Sequence, residues 1–223
     1  MQLVVGDITV TVLYKRVKNM RITIKSNQNM VILTMPNNYK IEKGITFINQ
    51  KSDWIHKNLD KKLIYTLPTN FEMNQSIYIF GNKYPIIRKE TDKLSIRFDK
   101  ISVIINCPKS TLDTQIVTLI NKFYKQLVTI EVNNRLAKWE NKLNLYSNNW
   151  YVRTMTSKWG SCNIKTKRLC FNSLLAKFPI ECLDYLIIHE LAHLKYPYHD
   201  KDFYNFVAKF CPNYKLLRKT LKY

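Results

Sequence analysis

Apolar and polar positions follow two different periods along this chain of 223 residues. Over roughly the first hundred they alternate with period two, which predicts half-buried strands. Ile8-Thr-Val-Thr-Val-Leu13 and Met20-Arg-Ile-Thr-Ile-Lys25 alternate in this way. Met30-Val-Ile-Leu-Thr-Met35 follows a polar turn, Ser26-Asn-Gln-Asn29, and is stopped by Pro36. Ile41, Ile45, Ile48, Trp54, Ile55 and Leu59 instead suit an amphipathic helix over 41–64, bent near Ser52. After a turn at Leu67-Pro-Thr-Asn70, short strands are expected near 76–80, 84–89, 94–98 and 101–106, with Gly81-Asn82 as a hairpin turn.

From about residue 111 the period becomes helical. Ser110, Thr111 and Asp113 offer N-caps, and Ile116, Leu119, Ile120, Phe123, Leu127, Ile130 and Leu136 form one stripe reaching about Leu143. That stripe reads as core. Tyr151-Val-Arg153 and Arg168-Leu-Cys-Phe-Asn172 read as strands. Phe178-Pro179 then opens a helix whose Leu183, Leu186, Ile187, Leu191 and Leu194 face the core, and Pro197 stops it. A last amphipathic helix carries Phe203, Phe206, Val207 and Phe210 and ends at Pro212. The fold class is α+β: a β-rich N-terminal half, 1–110, followed by a mainly helical region, 111–223.

Composition bounds the reading further. A hydrophobic content of 46% with 13% aromatics describes a folded chain. The N-terminus lacks the basic start and apolar core of a signal peptide, and no run of eighteen apolar residues exists, so no membrane partner is expected. Five cysteines, odd in number and without a CxxC pair, read as reduced thiols, which places the protein in the cytoplasm. The net charge of +20 suggests an anionic partner, nucleotide or nucleic acid. That charge is spread evenly along the chain, so a solvated basic surface explains it equally well.

The chemistry concentrates in His189-Glu-Leu-Ala-His-Leu-Lys-Tyr-Pro-Tyr-His199, which holds three of the four histidines. Residues four apart share a helix face, so His189 and His193 can present two imidazole nitrogens to one metal ion. Glu190 is then placed to hold a water on that metal, and His199 is the third ligand, brought back by the stop at Pro197. Chance would supply an HExxH in only about two such chains per thousand, so the motif is specific. Three protein ligands with an open fourth position fit a catalytic zinc, one per chain, better than a closed structural one. Tyr196, Tyr198, Arg153 and Lys158 are candidate donors to a developing oxyanion. Asp200 and Asp202 are candidate partners of His199. Lys158-Trp-Gly-Ser-Cys162 reads either as a wall of the cleft or as a turn packed by Trp159.

Beyond the HExxH segment, Lys158-Trp-Gly-Ser-Cys162, Phe171-Asn172, Pro179, Asp184–Leu194, Tyr198–Tyr204 and Pro212-Asn-Tyr-Lys215 resemble the YgjP-like metallopeptidase family, a zincin-type group. Met35-Pro36, Lys51-Ser-Asp-Trp-Ile55 and Gly81-Asn-Lys-Tyr-Pro85 extend the resemblance to the N-terminal half. Departures are mild: Lys158, Tyr198 and Asp200 stand where the family usually has Arg, Asn and Ser. Tyr196 stands where metzincins have glycine, which argues against that clan. The resemblance implies a zincin-like catalytic domain over 111–223 and a zinc metallopeptidase acting on peptides or proteins. Two alternatives remain: hydrolysis of a nucleoside triphosphate at the same zinc, and a basic protein associated with nucleic acid that acts on DNA-bound proteins.

Overall fold

The computed structural model describes residues 1–25, 30–56, 67 and 75–221. The chain forms two compact units, Met1–Thr66 and Leu67–Lys222. The change from strands to helices near residue 110 therefore falls inside the second unit, which has sheets of its own.

The first unit is a four-stranded sheet in the order β1-β2-β4-β3, made from β1 (Gln2–Val5), β2 (Ile8–Lys15), β3 (Arg21–Lys25) and β4 (Met30–Pro36). β2 and β4 run parallel, while the outer pairings are antiparallel. Period two puts Ile8, Val10 and Val12 on one buried face, with Val31, Leu33 and Met35 beside them. Helix α1 (Ile41–Gln50) closes this core with Ile48. Gly44 on α1 comes so close to Met35 and Leu33 that an added Cβ would lie 2.9 Å from Leu33 Cδ2. Lys51 leaves helical geometry (φ −110°, ψ 8°), and helical residues resume at 52–56, which accounts for the bend expected near Ser52. The turn at 26–29, the end of that helix at 57–64 and residues 68–70 of the expected turn lie outside the described residues.

The second unit opens with a sheet in the order β5-β6-β8-β7, from β5 (Ser76–Ile79), β6 (Asn82–Glu90), β7 (Ser95–Phe98) and β8 (Val103–Cys107). The hairpin turn is Phe80-Gly81, one residue earlier than expected, because Ile79 pairs with Asn82. Both turn residues have positive φ, 46° and 84°, as a two-residue hairpin requires. A Cβ on Gly81 would lie 3.0 Å from Pro179, and the Phe80 N–H donates to the Ala176 carbonyl (2.7 Å). The turn thus braces the segment that launches the histidine-bearing helix.

That helix, α3 (Ile180–Ala192), packs on the long α2 (Asp113–Leu143). Arg135 and Trp139 of α2 both donate to the Asp184 carboxylate, at 3.0 and 2.7 Å, and Arg135 also bonds Glu131 at 2.9 Å. The buried stripe of α2 follows Ile116, Ile120, Tyr124, Val128, Val132 and Leu136. Ile130, expected in the core, is 54% exposed, because a four-residue step carries the stripe through Val128 and Val132 instead. The cap of α2 also differs from expectation: the Leu112 N–H donates to Gln115 Oε1 (2.9 Å).

A second sheet, in the order β10-β11-β9, combines β9 (Asn149–Arg153), β10 (Gly160–Asn163) and β11 (Arg168–Asn172). A 3-10 segment, Ser173–Lys177, joins β11 to α3, and α4 (Lys201–Phe210) and α5 (Tyr214–Thr220) complete the chain. β1, β10, the 3-10 segment and α5 were not predicted. Gly160-Ser-Cys-Asn163 has neither alternation nor branched residues, and only its pairing with β11 makes it a strand.

Two consequences are measurable. Gly81→Ala forces a Cβ onto a positive-φ position against Pro179, and is expected to destabilise the fold by about 1–3 kcal/mol in chemical denaturation. Lys177 lies over the Tyr124 ring, and burial pushes its amine down to about 8 from 10.5. The unfolded chain then binds the extra proton, so this group's contribution to stability rises as pH increases from about 8 to 10.5. Lys177→Met is expected to gain on the order of 1–3 kcal/mol at pH 7, an advantage that fades above pH 10.5 in thermal melts.

Candidate metal centre

Helical spacing places His189 on the last full turn of α3 and His193 at its C-cap. The chain then turns through Pro197, and the Asp200 carboxylate starts α4 by accepting from the Phe203 N–H (2.9 Å). This capping role corrects the expectation that Asp200 supports His199. Asp202 is exposed in the first turn of α4. The reversal returns His199 to the other two histidines: ligand nitrogens of all three lie within 4.8 Å of one another, and the Nε2 atoms of His189 and His199 are 3.0 Å apart. No other group of three metal-binding side chains occurs among the described residues.

The rings are oriented by what surrounds them. His193 Nδ1 donates to the Tyr196 carbonyl (3.2 Å), which leaves Nε2 with its lone pair. His189 Nδ1 faces the Tyr185 hydroxyl at 3.4 Å, a group able to accept its proton in the same way. Beneath them the fully buried Phe203 ring touches all three imidazoles, with centroids 4.9, 4.7 and 4.9 Å from His189, His193 and His199. Burial, then the neighbouring His193 and His199, push His189 down to about 3; burial also lowers His193 and His199. At neutral pH all three are uncharged donors, the form a metal ion requires. Three converging imidazoles, with no fourth ligand grouped with them among the described residues, fit zinc with an open position.

Glu190 projects from the same helix and is itself only 4% exposed. Burial raises its carboxyl to about 8, against the opposing pull of Lys158. It is accommodated by a glycine: a Cβ on Gly160 would overlap Glu190 Oε1 and lie 2.9 Å from Cδ. Gly160 is the first residue of β10, so the strand backbone itself walls the carboxylate.

The loop before β10 is held by Asn172, whose side-chain amide donates to the carbonyls of Met155 and Lys158, both at 2.8 Å. Its Oδ1 accepts from Met155 N–H (3.3 Å) and Leu174 N–H (3.1 Å). The Lys158–Cys162 stretch both walls a cleft and packs through Trp159, but Gly160 opens strand β10 instead of making the expected tight turn. Lys158, Gly160, Ser161 and Cys162 line a cleft of about 910 Å³ that also contains the histidines and Glu190. Trp159 packs edge-on against Phe178 (4.9 Å) and donates from Nε1 to the Leu221 carbonyl. Burial and then Glu190 push the Cys162 thiol up to about 11, so it is no thiolate.

Of the candidate oxyanion donors, Lys158 lines the cleft; Tyr196, Tyr198 and Arg153 do not. Tyr198 is 77% exposed, and the Tyr196 ring packs on Phe206 (5.4 Å). Tyr204 and Arg218 also line the cleft, and the sequence reading gave neither a role there. Tyr204 stacks between His199 (6.0 Å) and Tyr214 (5.6 Å), and the Arg218 guanidinium lies over its ring at 5.2 Å. Helical spacing along Tyr214-Lys-Leu-Leu-Arg218 is the only trace of this in the sequence.

A family model described as "YgjP-like, metallopeptidase domain" matches residues 18–223. The chain belongs to the YgjP-like family. As a YgjP-like protein it is a hydrolase of metallopeptidase type. Two metallopeptidase zymogens are similar over part of it. Abylysin of Pyrococcus abyssi is 23% identical, with 40% of this chain and 90% of abylysin covered at a TM-score of 0.38. Jannalysin of Methanocaldococcus jannaschii is 29% identical, covering 38% and 90% at a TM-score of 0.35. None of the curated proteins matches the chain.

The fit between Gly160 and Glu190 can be tested directly. Gly160→Ala is expected to keep the metal content of the wild type while lowering turnover at least about tenfold, because it moves only the buried carboxylate. Loss of metal together with activity would mean that β10 supports the histidines instead.

Proposed function

We propose that this YgjP-like protein is a zinc-dependent peptidase, with His189, His193 and His199 as ligands and Glu190 as general base. The observation that carries it is the convergence of three uncharged imidazoles beside a buried glutamate at the foot of an open strand edge. Zinc would supply Lewis acidity there, polarising a carbonyl and bringing the pKa of water to about 7.

The protein's own residues divide the remaining work. Glu190 takes the proton of the attacking water and passes it to the leaving amine, a role worth about 10²–10⁴-fold. Burial raises the proton affinity of this carboxylate, which favours its holding the proton once taken up. Phe203 and Leu186 keep the inner wall dry, which strengthens every charge interaction in the cleft. β10 pairs only with β11 among the described residues, so its other edge offers free N–H and C=O groups to an extended peptide. This edge favours a polypeptide substrate.

The cations Lys158 and Arg218 in the cleft would also accommodate a phosphoanhydride, which keeps nucleoside triphosphate hydrolysis as the second reading. No helix among the described residues is long and apolar enough to cross a membrane. All five cysteines are free, which supports assignment to the cytoplasm.

Glu190→Gln is expected to retain about one zinc per chain by elemental analysis while peptide cleavage falls at least about a hundredfold. His199→Ala is expected to weaken zinc binding by at least about tenfold in chelator competition. Glu190-dependent phosphate release without peptide cleavage would replace the substrate class and keep the site. Zinc loss in Glu190→Gln would remove the assignment of Glu190 to the water.

A further inference from the structure

The cleft over the histidines does not end at β10. A second cleft of about 820 Å³ lies along the β10–β11 hairpin and shares Ser161, Cys162 and Ile164 with the first. The two clefts therefore adjoin at β10. Four cations line them: Lys158 and Arg218 in the first, Lys165 and Arg168 in the second. Among the described residues, the only carboxylate lining either cleft is the buried Glu190.

These cations are not consumed by the fold. All four side chains are exposed, and none takes part in an ion pair among the described residues. The two guanidinium groups are nevertheless held in place, Arg218 over the Tyr204 ring at 5.2 Å and Arg168 over the Tyr151 ring at 4.5 Å. Stacking of this kind fixes the plane of the group while leaving its N–H donors free for a ligand carboxylate. Lys158 and Arg218 line the same cleft as the three histidines and Glu190.

We infer that these adjoining clefts select an extended peptide bearing Asp or Glu side chains near its scissile bond. Arg218 and Lys158 meet the carboxylate near the metal centre, and Arg168 with Lys165 meets the one further along β10. The inference rests on the peptidase reading above and gives it a substrate class. Basic peptides are excluded by the same four charges, since like-charge placement costs affinity as surely as pairing gains it.

The test separates the two levels by measuring binding apart from cleavage. Zinc-loaded Glu190→Gln protein is titrated, by fluorescence anisotropy, with labelled C-terminally amidated peptides that differ only in Glu, Gln or Lys at the flanking positions. The Glu peptide is expected to bind about tenfold tighter than the Gln peptide in low salt, with the Lys peptide weakest and the preference shrinking as salt rises. Arg218→Glu and Arg168→Glu, with circular dichroism unchanged, are expected to remove or reverse that order. Equal binding of the three peptides overturns the inference. So does a preference seen only when the C-terminus is left free, or a single-stranded oligonucleotide that binds more tightly than the Glu peptide at physiological salt. Wild-type protein that fails to cleave the peptide it binds tests the other level: it removes the peptidase reading and leaves the acidic preference measured.

Discussion

The arrangement depends on one buried ring. Phe203 lies under His189, His193 and His199 at nearly equal distances, and it is itself placed by the Asp200 cap at the start of α4. Three imidazoles kept uncharged and close together gain nothing from one another. An apolar floor supplies the packing that holds them and the burial that keeps protons off them. The three histidines are thus held together by a hydrophobic contact, and the second unit is organised to deliver that contact.

The delivery comes from two directions. On one side, α2 grips α3 through Arg135, Trp139 and Asp184, and the Phe80-Gly81 turn braces Pro179. On the other, Asn172 gathers the loop that leads into β10, and Gly160 brings the strand backbone against Glu190. The first set fixes where the helix lies; the second fixes what faces it.

Much of this was legible in the sequence, and the reason is periodicity. HExxH names its own geometry, since four residues make one helical turn, and Pro197 announces the reversal that returns His199. The strands with strict alternation were equally readable. What escaped depends on partners distant in the chain. β10 is a strand only because β11 pairs with it, Arg218 belongs to the cleft only because Tyr204 stacks beneath it, and the choice of Val128 over Ile130 was settled by what α2 packs upon. The role of Gly160 could not be read locally either, because the carboxylate it makes room for lies thirty positions further on.

The closing helix carries a temporal consequence. α5 supplies Arg218, and Tyr214 backs Tyr204. Just past that helix, the Leu221 carbonyl receives the Trp159 indole and so anchors the loop beside Glu190. A polypeptide leaves the ribosome N-terminus first. The histidines can therefore gather while the wall opposite them is still unfinished, and the cleft gains its full shape only after residue 221 has emerged. A nascent hydrolase of this design stays incomplete until almost all of these 223 residues have been made.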